Sequence, residues 1–161
     1  MNSQRHVLIV TQNSTRGGNL GAWLASEGYS VTCVNTFAAA RLHLQMKPGV
    51  VITELKLGAY NGLHLAVRAN ATRIPVVVLG ERDAFFEREA RQLGTTYIAY
   101  DEATRERIVS YVGTTIRSAS ANEAPQLSWI GKSAIAALRQ ESSARTSLVR
   151  FPSPARRLDL N

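Results

Sequence analysis

Residues 48–63 read PGVVITELKLGAYNGL, and this stretch decides the fold. Val50 to Leu55 is apolar without strict alternation, as a strand covered by helices on both faces is, and such strands belong to parallel sheets. The run carries a carboxylate, Glu54, at its carboxyl end, then turns at Lys56, after which Gly62 to Ala69 reads as a helix.

The same strand-then-helix unit recurs on either side. His6 to Val10, Ser30 to Val34, Pro75 to Leu79 and Thr96 to Tyr100 read as strands, and Ser14 to Glu27, Thr36 to Met46, Ala84 to Leu93 and Glu102 to Arg117 as helices. The segment from Ala84 puts Phe86, Ala90 and Leu93 on one face, starts after Asp83 as an N-cap and stops at Gly94, a residue suited to a left-handed C-terminal cap. The last segment starts after Asp101 and stacks Ile108, Val112 and Ile116 at intervals of four. Five βα units over residues 5–119 predict an α/β, doubly wound, five-stranded parallel sheet in a three-layer sandwich with right-handed crossovers. Functional groups should gather at the carboxyl ends of its strands, which carry Thr11, Gln12, Glu54, Gly80 and Tyr100.

Composition agrees with one folded domain and an appendage. Of 161 residues 45% are hydrophobic and 19% charged, with 11 Gly and 5 Pro, which excludes disordered, collagen-like and coiled-coil classes. The single cysteine, Cys33, reads as an apolar filler of the second strand; it cannot close an intramolecular disulfide, and a reducing, cytoplasmic setting is expected. Only four apolar residues, Val7 to Val10, follow the polar start, so a secretory signal is not expected, and no run has the length of a membrane span. His6, His43 and His64 lie on separate elements without metal-ligand spacing, so neither a metal nor another cofactor is expected. Gly17, Gly18 and Gly21 lack the spacing of a dinucleotide fingerprint and read as residues that loosen the first helix or let it pack closely.

The net charge is +7, from 19 basic and 12 acidic residues. Residues 118–126, SASANEAPQ, read as a linker, and Leu127 to Gln140 as a short helix with Leu127, Ile130, Ala134 and Leu138 on one face near Trp129. That helix either folds back on the domain or docks in a partner's groove. The remainder reads as a loose, basic tail. The excess charge is spread over both parts without a dense block, so nucleic acid is not expected as the partner.

Four runs carry a family resemblance: HVLIVTQN at 6–13, PGVVITELKLGAYNGL at 48–63, PVVVLG at 75–80 and LGTTYIAY at 93–100. In order and spacing they resemble response-regulator receiver domains, a flavodoxin-like family, over about 115 residues. The resemblance implies a phosphoacceptor Asp after the third strand, an acidic pair for magnesium after the first, a Ser or Thr after the fourth and a Lys after the fifth. Glu54 stands at the phosphoacceptor position, Thr11 and Gln12 at the acidic pair, Gly80 at the hydroxyl and Tyr100 at the lysine, with Asp101 in place of the usual proline. Two carboxylates are thus neutral, and a lone anion holds magnesium poorly.

The resemblance is therefore to a degenerate receiver, or pseudo-receiver. Glu54 either imitates the phosphorylated state or is a solvated, inert carboxylate, with Lys56 as the cation nearest in sequence. Thr11, Gln12 and Asn13 also read as a strand end and a helix cap, Gly80 as a turn glycine, and Tyr97 as a half-buried aromatic at the position that in receivers turns with signalling state. The resemblance implies a non-enzymatic, phosphorylation-independent interaction module of two-component signalling, without catalytic residues. Its partner would be a kinase, an effector, a second receiver or a second copy, and not a membrane. The contact face would present Arg91, Tyr97 and Arg105. The alternatives are a phosphoryl-accepting receiver that uses Glu54, and a receiver whose basic tail contacts DNA.

Overall fold

The computed structural model describes residues 5–119. The chain runs β1 (His6–Val10), α1 (Ser14–Ser26), β2 (Ser30–Val34), α2 (Phe37–Leu44), β3 (Val50–Glu54), β4 (Lys56–Leu57), β5 (Tyr60–Asn61), α3 (Gly62–Ala71), β6 (Val76–Gly80), α4 (Ala84–Gln92), β7 (Thr96–Ala99) and α5 (105–119). The proposed tail helix and basic tail lie outside the described residues.

Five strands form one parallel sheet in the order β2-β1-β3-β6-β7. This is the doubly wound arrangement whose strand order reverses between β1 and β3, and a crevice opens at such a reversal, beyond the carboxyl ends of the strands. Register pairs Ile9 with Ile52, Val10 with Thr53 and Glu54 with Leu79, which brings Glu54 level with the ends of its neighbours.

Side chains alternate across the sheet because successive residues of a strand point to opposite faces. Leu8, Val10, Val51, Val76 and Val78 pack with Ala40, Leu44, Leu65 and Ala90 of α2, α3 and α4. Val7, Ile9, Val50, Ile52, Val77 and Ile98 pack with Leu20 and Leu24 of α1 and Ile108 and Val112 of α5. Full burial of each such aliphatic side chain contributes about 1.5–3 kcal/mol.

The central strands β3 and β6 are buried throughout, as the apolar run at 50–55 suggests for β3, whereas β2 and β7 are edges and only partly covered. Cys33 is exposed on β2 and is no core filler.

Local signals set most of the ends. Asp83 Oδ1 accepts from the Phe85 and Phe86 amides, and Gly94 takes φ +67° after α4, as the sequence predicts. Asp101 does not cap α5. It lies in a 3-10 turn, Tyr100–Glu102, and the helix starts three residues later than expected, with the Arg107 amide donating to Thr104 Oγ1 at 3.3 Å. The turn after β3 is a small antiparallel hairpin, Lys56 facing Asn61 and Leu57 facing Tyr60. It is anchored by the Tyr60 ring stacked on Phe37 at 4.6 Å.

Candidate functional site

The site is built from the ends of β1, β3, β6 and β7. Thr11 is buried and its backbone closes β1 onto β2 through Val34. Its hydroxyl accepts from the Asn13 amide at 3.0 Å, and Asn13 Oδ1 accepts from the Arg16 amide at 2.9 Å. The cap-and-strand-end reading of these polar residues is therefore correct, and the cap has a consequence. It starts α1 at Ser14, which puts Arg16 in the first turn, directed at the end of β3.

A cation there opposes the helix dipole, which favours anions at the N-terminus by about 0.3–1 kcal/mol. Glu54 supplies the compensation. Its side chain is only 6% exposed; Oε1 accepts from Arg16 Nη1 and Oε2 from the Gln12 amide at 3.1 Å. The Arg16 guanidinium lies 3.8 Å above the centre of the Tyr100 ring, a cation–π contact of about 0.5–2 kcal/mol. Tyr100 thus occupies the position of the expected lysine and braces a different cation. Burial pushes the Tyr100 hydroxyl's pKa up, and the charge of Glu54 adds to the rise.

Two sequence expectations fall here. Glu54 is no solvated carboxylate in a shallow dent, and its cation is Arg16, thirty-eight residues away, not Lys56, which is exposed on the hairpin. Sequence reasoning missed Arg16; the one available signal was an arginine just after a helix cap, where an acidic residue is favoured.

Gly62 and Gly80 are required by space and not by backbone freedom. A Cβ on Gly62 would overlap the Glu54 carbonyl oxygen and lie 3.0 Å from its carbon, so the hairpin closes tightly behind the site. A Cβ on Gly80 would overlap the Tyr97 hydroxyl and lie 2.9 Å from Cζ and 3.2 Å from Leu55 Cβ. Gly80 is therefore no turn glycine: it ends β6 and leaves the seat that Tyr97 fills. The Tyr97 hydroxyl donates to the Glu81 carbonyl at 2.6 Å, and burial pushes its pKa up to about 12. Tyr97 is half-buried, as the sequence suggests.

Gly17 has a related role, since a Cβ there would lie 2.9 Å from both Cys33 Sγ and Thr11 Cγ2. It lets α1 sit close to β1 and β2.

Arg91 and Tyr97 share a cavity of 410 Å³ on the side of α4 and β7, with Glu87 and Arg107 in its walls. Arg105 is not part of it: its guanidinium points to Ser26 Oγ at 3.2 Å and Glu27 Oε1 at 3.3 Å, at the end of α1. Arg107, two residues further along α5, is the arginine that joins Arg91 and Tyr97 in the wall.

His6 and His43, on separate elements in sequence, become neighbours. Partial burial lowers the pKa of His6 and the His43 charge lowers it further, while His6 Nε2 and Thr32 Oγ1 lie 2.9 Å apart. Among the described residues no three His, Cys, Asp or Glu side chains gather as a metal site requires. Magnesium, which the family resemblance would bring, does not fit either: the crevice offers it one carboxylate, already held by Arg16, between a threonine and a glutamine. No helix among the described residues is long and apolar enough to cross a membrane.

No protein-family model matches the chain, and no curated protein matches it. Solved structures do. The signal receiver domain of a LuxO repressor protein from Vibrio parahaemolyticus superposes with a TM-score of 0.67 at 18% identity, covering 74% of this chain and 95% of that one. A Clostridium thermocellum response regulator receiver domain gives 0.65 at 17%, covering 72% and 97%. The beryllofluoride-activated NtrC4 receiver domain dimer gives 0.64 at 17%, covering 71% and 98%. The fold of residues 5–119 is that of receiver domains.

Proposed function

We propose that this chain is an atypical response-regulator receiver, a non-enzymatic module of two-component signal transduction that binds a partner protein without being phosphorylated. The observation that carries this reading is the closed state of its acceptor position. Phosphoryl transfer to a carboxylate needs the nucleophile free, a cation to neutralise the incoming group, and donors for its oxygens. Here Glu54 is buried and engaged by Arg16 and the Gln12 amide. The hydroxyl position is Gly80, whose space Tyr97 fills.

The arrangement supports a fixed output instead of a switched one. In receivers the aromatic at the position of Tyr97 turns with signalling state, and the missing side chain of Gly80 leaves room for one of its positions. Tyr97 sits there with its hydroxyl bonded to Glu81. The surface it helps to form, with Arg91 and Arg107, is the one we assign to the partner, a signalling protein such as a kinase, an effector or a second receiver.

Incubation with acetyl phosphate and magnesium, followed by intact-mass measurement, tests the reading. No mass gain is expected. An acid-labile adduct of one phosphoryl group mapped to Glu54 would replace it with the phosphoryl-accepting alternative.

A further inference from the structure

Beside the buried pair, on the outer side of Arg16, lies a cavity of 330 Å³ between α1 and the turn that follows β7. Ligand sites of small molecules begin at about this size and combine apolar walls with a few placed polar groups. Leu20, Leu79 and Ala103 supply apolar wall, and the rings of Trp23 and Tyr100 line it as well. Trp23 and Tyr100 do not stack on each other: the ring pairs among the described residues are Phe37 with Tyr60 and Phe85 with Phe86. Two large aromatic side chains thus border one space that neither fills.

The polar part of the lining has one sign. Arg16 is the sole charged residue in it, and the other polar side chains of the lining are Asn13, Asn19 and Thr15, with the hydroxyl of Tyr100 and the indole N–H of Trp23 on the aromatic residues. The Arg16 side chain is one-third exposed, and its bond to Glu54 uses Nη1. A guanidinium carries five N–H donors in a planar fork, so donors remain for a second carboxylate. With Glu54 already paired to Arg16, little net positive charge is left to face the cavity, which matches a monoanion better than the double charge of a phosphate group.

We propose that this cavity binds a small planar aromatic carboxylate, its ring against Trp23 and the apolar wall and its carboxylate on Arg16. Such a ligand shares Arg16 with Glu54, so occupancy of the cavity reaches the buried pair through one side chain. The site goes beyond the function proposed above: a phosphoryl adduct on Glu54 would remove that reading, whereas the apolar wall of Leu20, Trp23, Leu79 and Ala103, which does not involve Glu54, would still be there to test.

Two-dimensional NMR of the ¹⁵N-labelled full chain tests the proposal, with 1-naphthoate as probe and the Trp23 indole signal identified by a Trp129→Phe variant. Saturable movement of the Trp23 indole signal is expected at sub-millimolar 1-naphthoate, with 1-naphthamide at least tenfold weaker. Ala103→Phe, which adds bulk to the apolar wall and leaves Arg16 itself in the chain, is expected to weaken 1-naphthoate at least tenfold with the amide spectrum otherwise retained. Should that variant fail to fold, Asn19→Phe on the exposed side of α1 is expected to do the same. The proposal is overturned by no saturable shift up to about 5 mM, by equal affinity for the neutral amide, by inorganic phosphate alone matching the carboxylate, or by undiminished binding in the filled variant.

Discussion

Two clusters of charge follow the strand ends, and they differ in almost everything but residue type. Arg16 and Glu54 form one contact, but Glu54 is sealed from water and the guanidinium is braced on a ring. Arg82, Asp101, Glu102 and Arg107 form three contacts, Arg82 with Asp101 at 2.9 Å and with Glu102 at 2.6 Å, and Arg107 with Glu102. Yet Arg82 and Asp101 are 60% and 64% exposed in their side chains. Removing one partner of a buried pair strands a desolvated charge, at a cost of about 3–5 kcal/mol, whereas exposed pairs contribute little. The number of ion pairs is a poor guide to what holds this carboxyl edge; burial of the carboxylate decides it.

The sharpest way to break the comparison is to remove the buried cation. Arg16→Ala should destabilise the domain by roughly 3 kcal/mol, near the lower end because the Gln12 amide still serves Glu54; urea denaturation reads the loss. Adding Glu54→Gln should restore most of it, and a double-mutant cycle with no coupling would sink the claim that the pair matters.

Gly80→Thr comes next. Its side chain must displace Tyr97, an overpacking penalty of about 1–3 kcal/mol, and the Tyr97 ring signals should shift in NMR. Unchanged Tyr97 signals would show that the seat is roomier than the geometry gives.

Arg82→Ala should leave the denaturation midpoint almost unmoved. Whatever it does cost should vanish at about 1 M salt, where the screening length is about 3 Å, while the Arg16–Glu54 coupling persists. Equal salt sensitivity of the two clusters would contradict the contrast.

The smallest effects are in pH. Hydrogen bonds from Arg82 hold Asp101 below its ordinary range, and hydrogen bonds from Arg82 and then Arg107 do the same for Glu102. A lowered folded-state pKa gives stability that is present above the unfolded value and lost as pH falls, so this contribution should fade below about pH 4.5. His6 follows the same sign at higher pH. Partial burial makes its folded form resist protonation, so stability should begin to fall as pH drops below about 6.5, and His6→Gln should flatten that limb of a melting-temperature profile.

Most of the element order was legible before any tertiary information. β1 and β2 have the ends that composition marks, α1 ends one residue earlier than predicted, and Asp83 and Gly94 bound α4 as a cap and a left-handed stop should. These features are local: a cap, a glycine or a run of β-branched residues acts within a few positions. The hairpin of β4 and β5 was missed because two-residue strands carry too little pattern, and its anchor, the Phe37 ring, lies far back in the chain. The start of α5 was misplaced because Asp101 and Thr104 are both competent caps, and the acidic pair Asp101 and Glu102 is drawn outward to Arg82.

The candidate site divides in the same way. That Glu54, Thr11, Gln12, Gly80 and Tyr100 meet at one edge follows from where strands end in a doubly wound sheet, and the amino-acid order alone determines this. It also determines that the edge is short of carboxylates. Which cation answers Glu54, and why Gly80 has no side chain, was settled only by three-dimensional packing. Arg16 reaches Glu54 across thirty-eight residues, and Tyr97 fills the space over Gly80 from the next strand. Neither leaves a periodic trace in the chain, because pairing at such separation depends on how helix and sheet are set against each other, and on how much water that setting excludes.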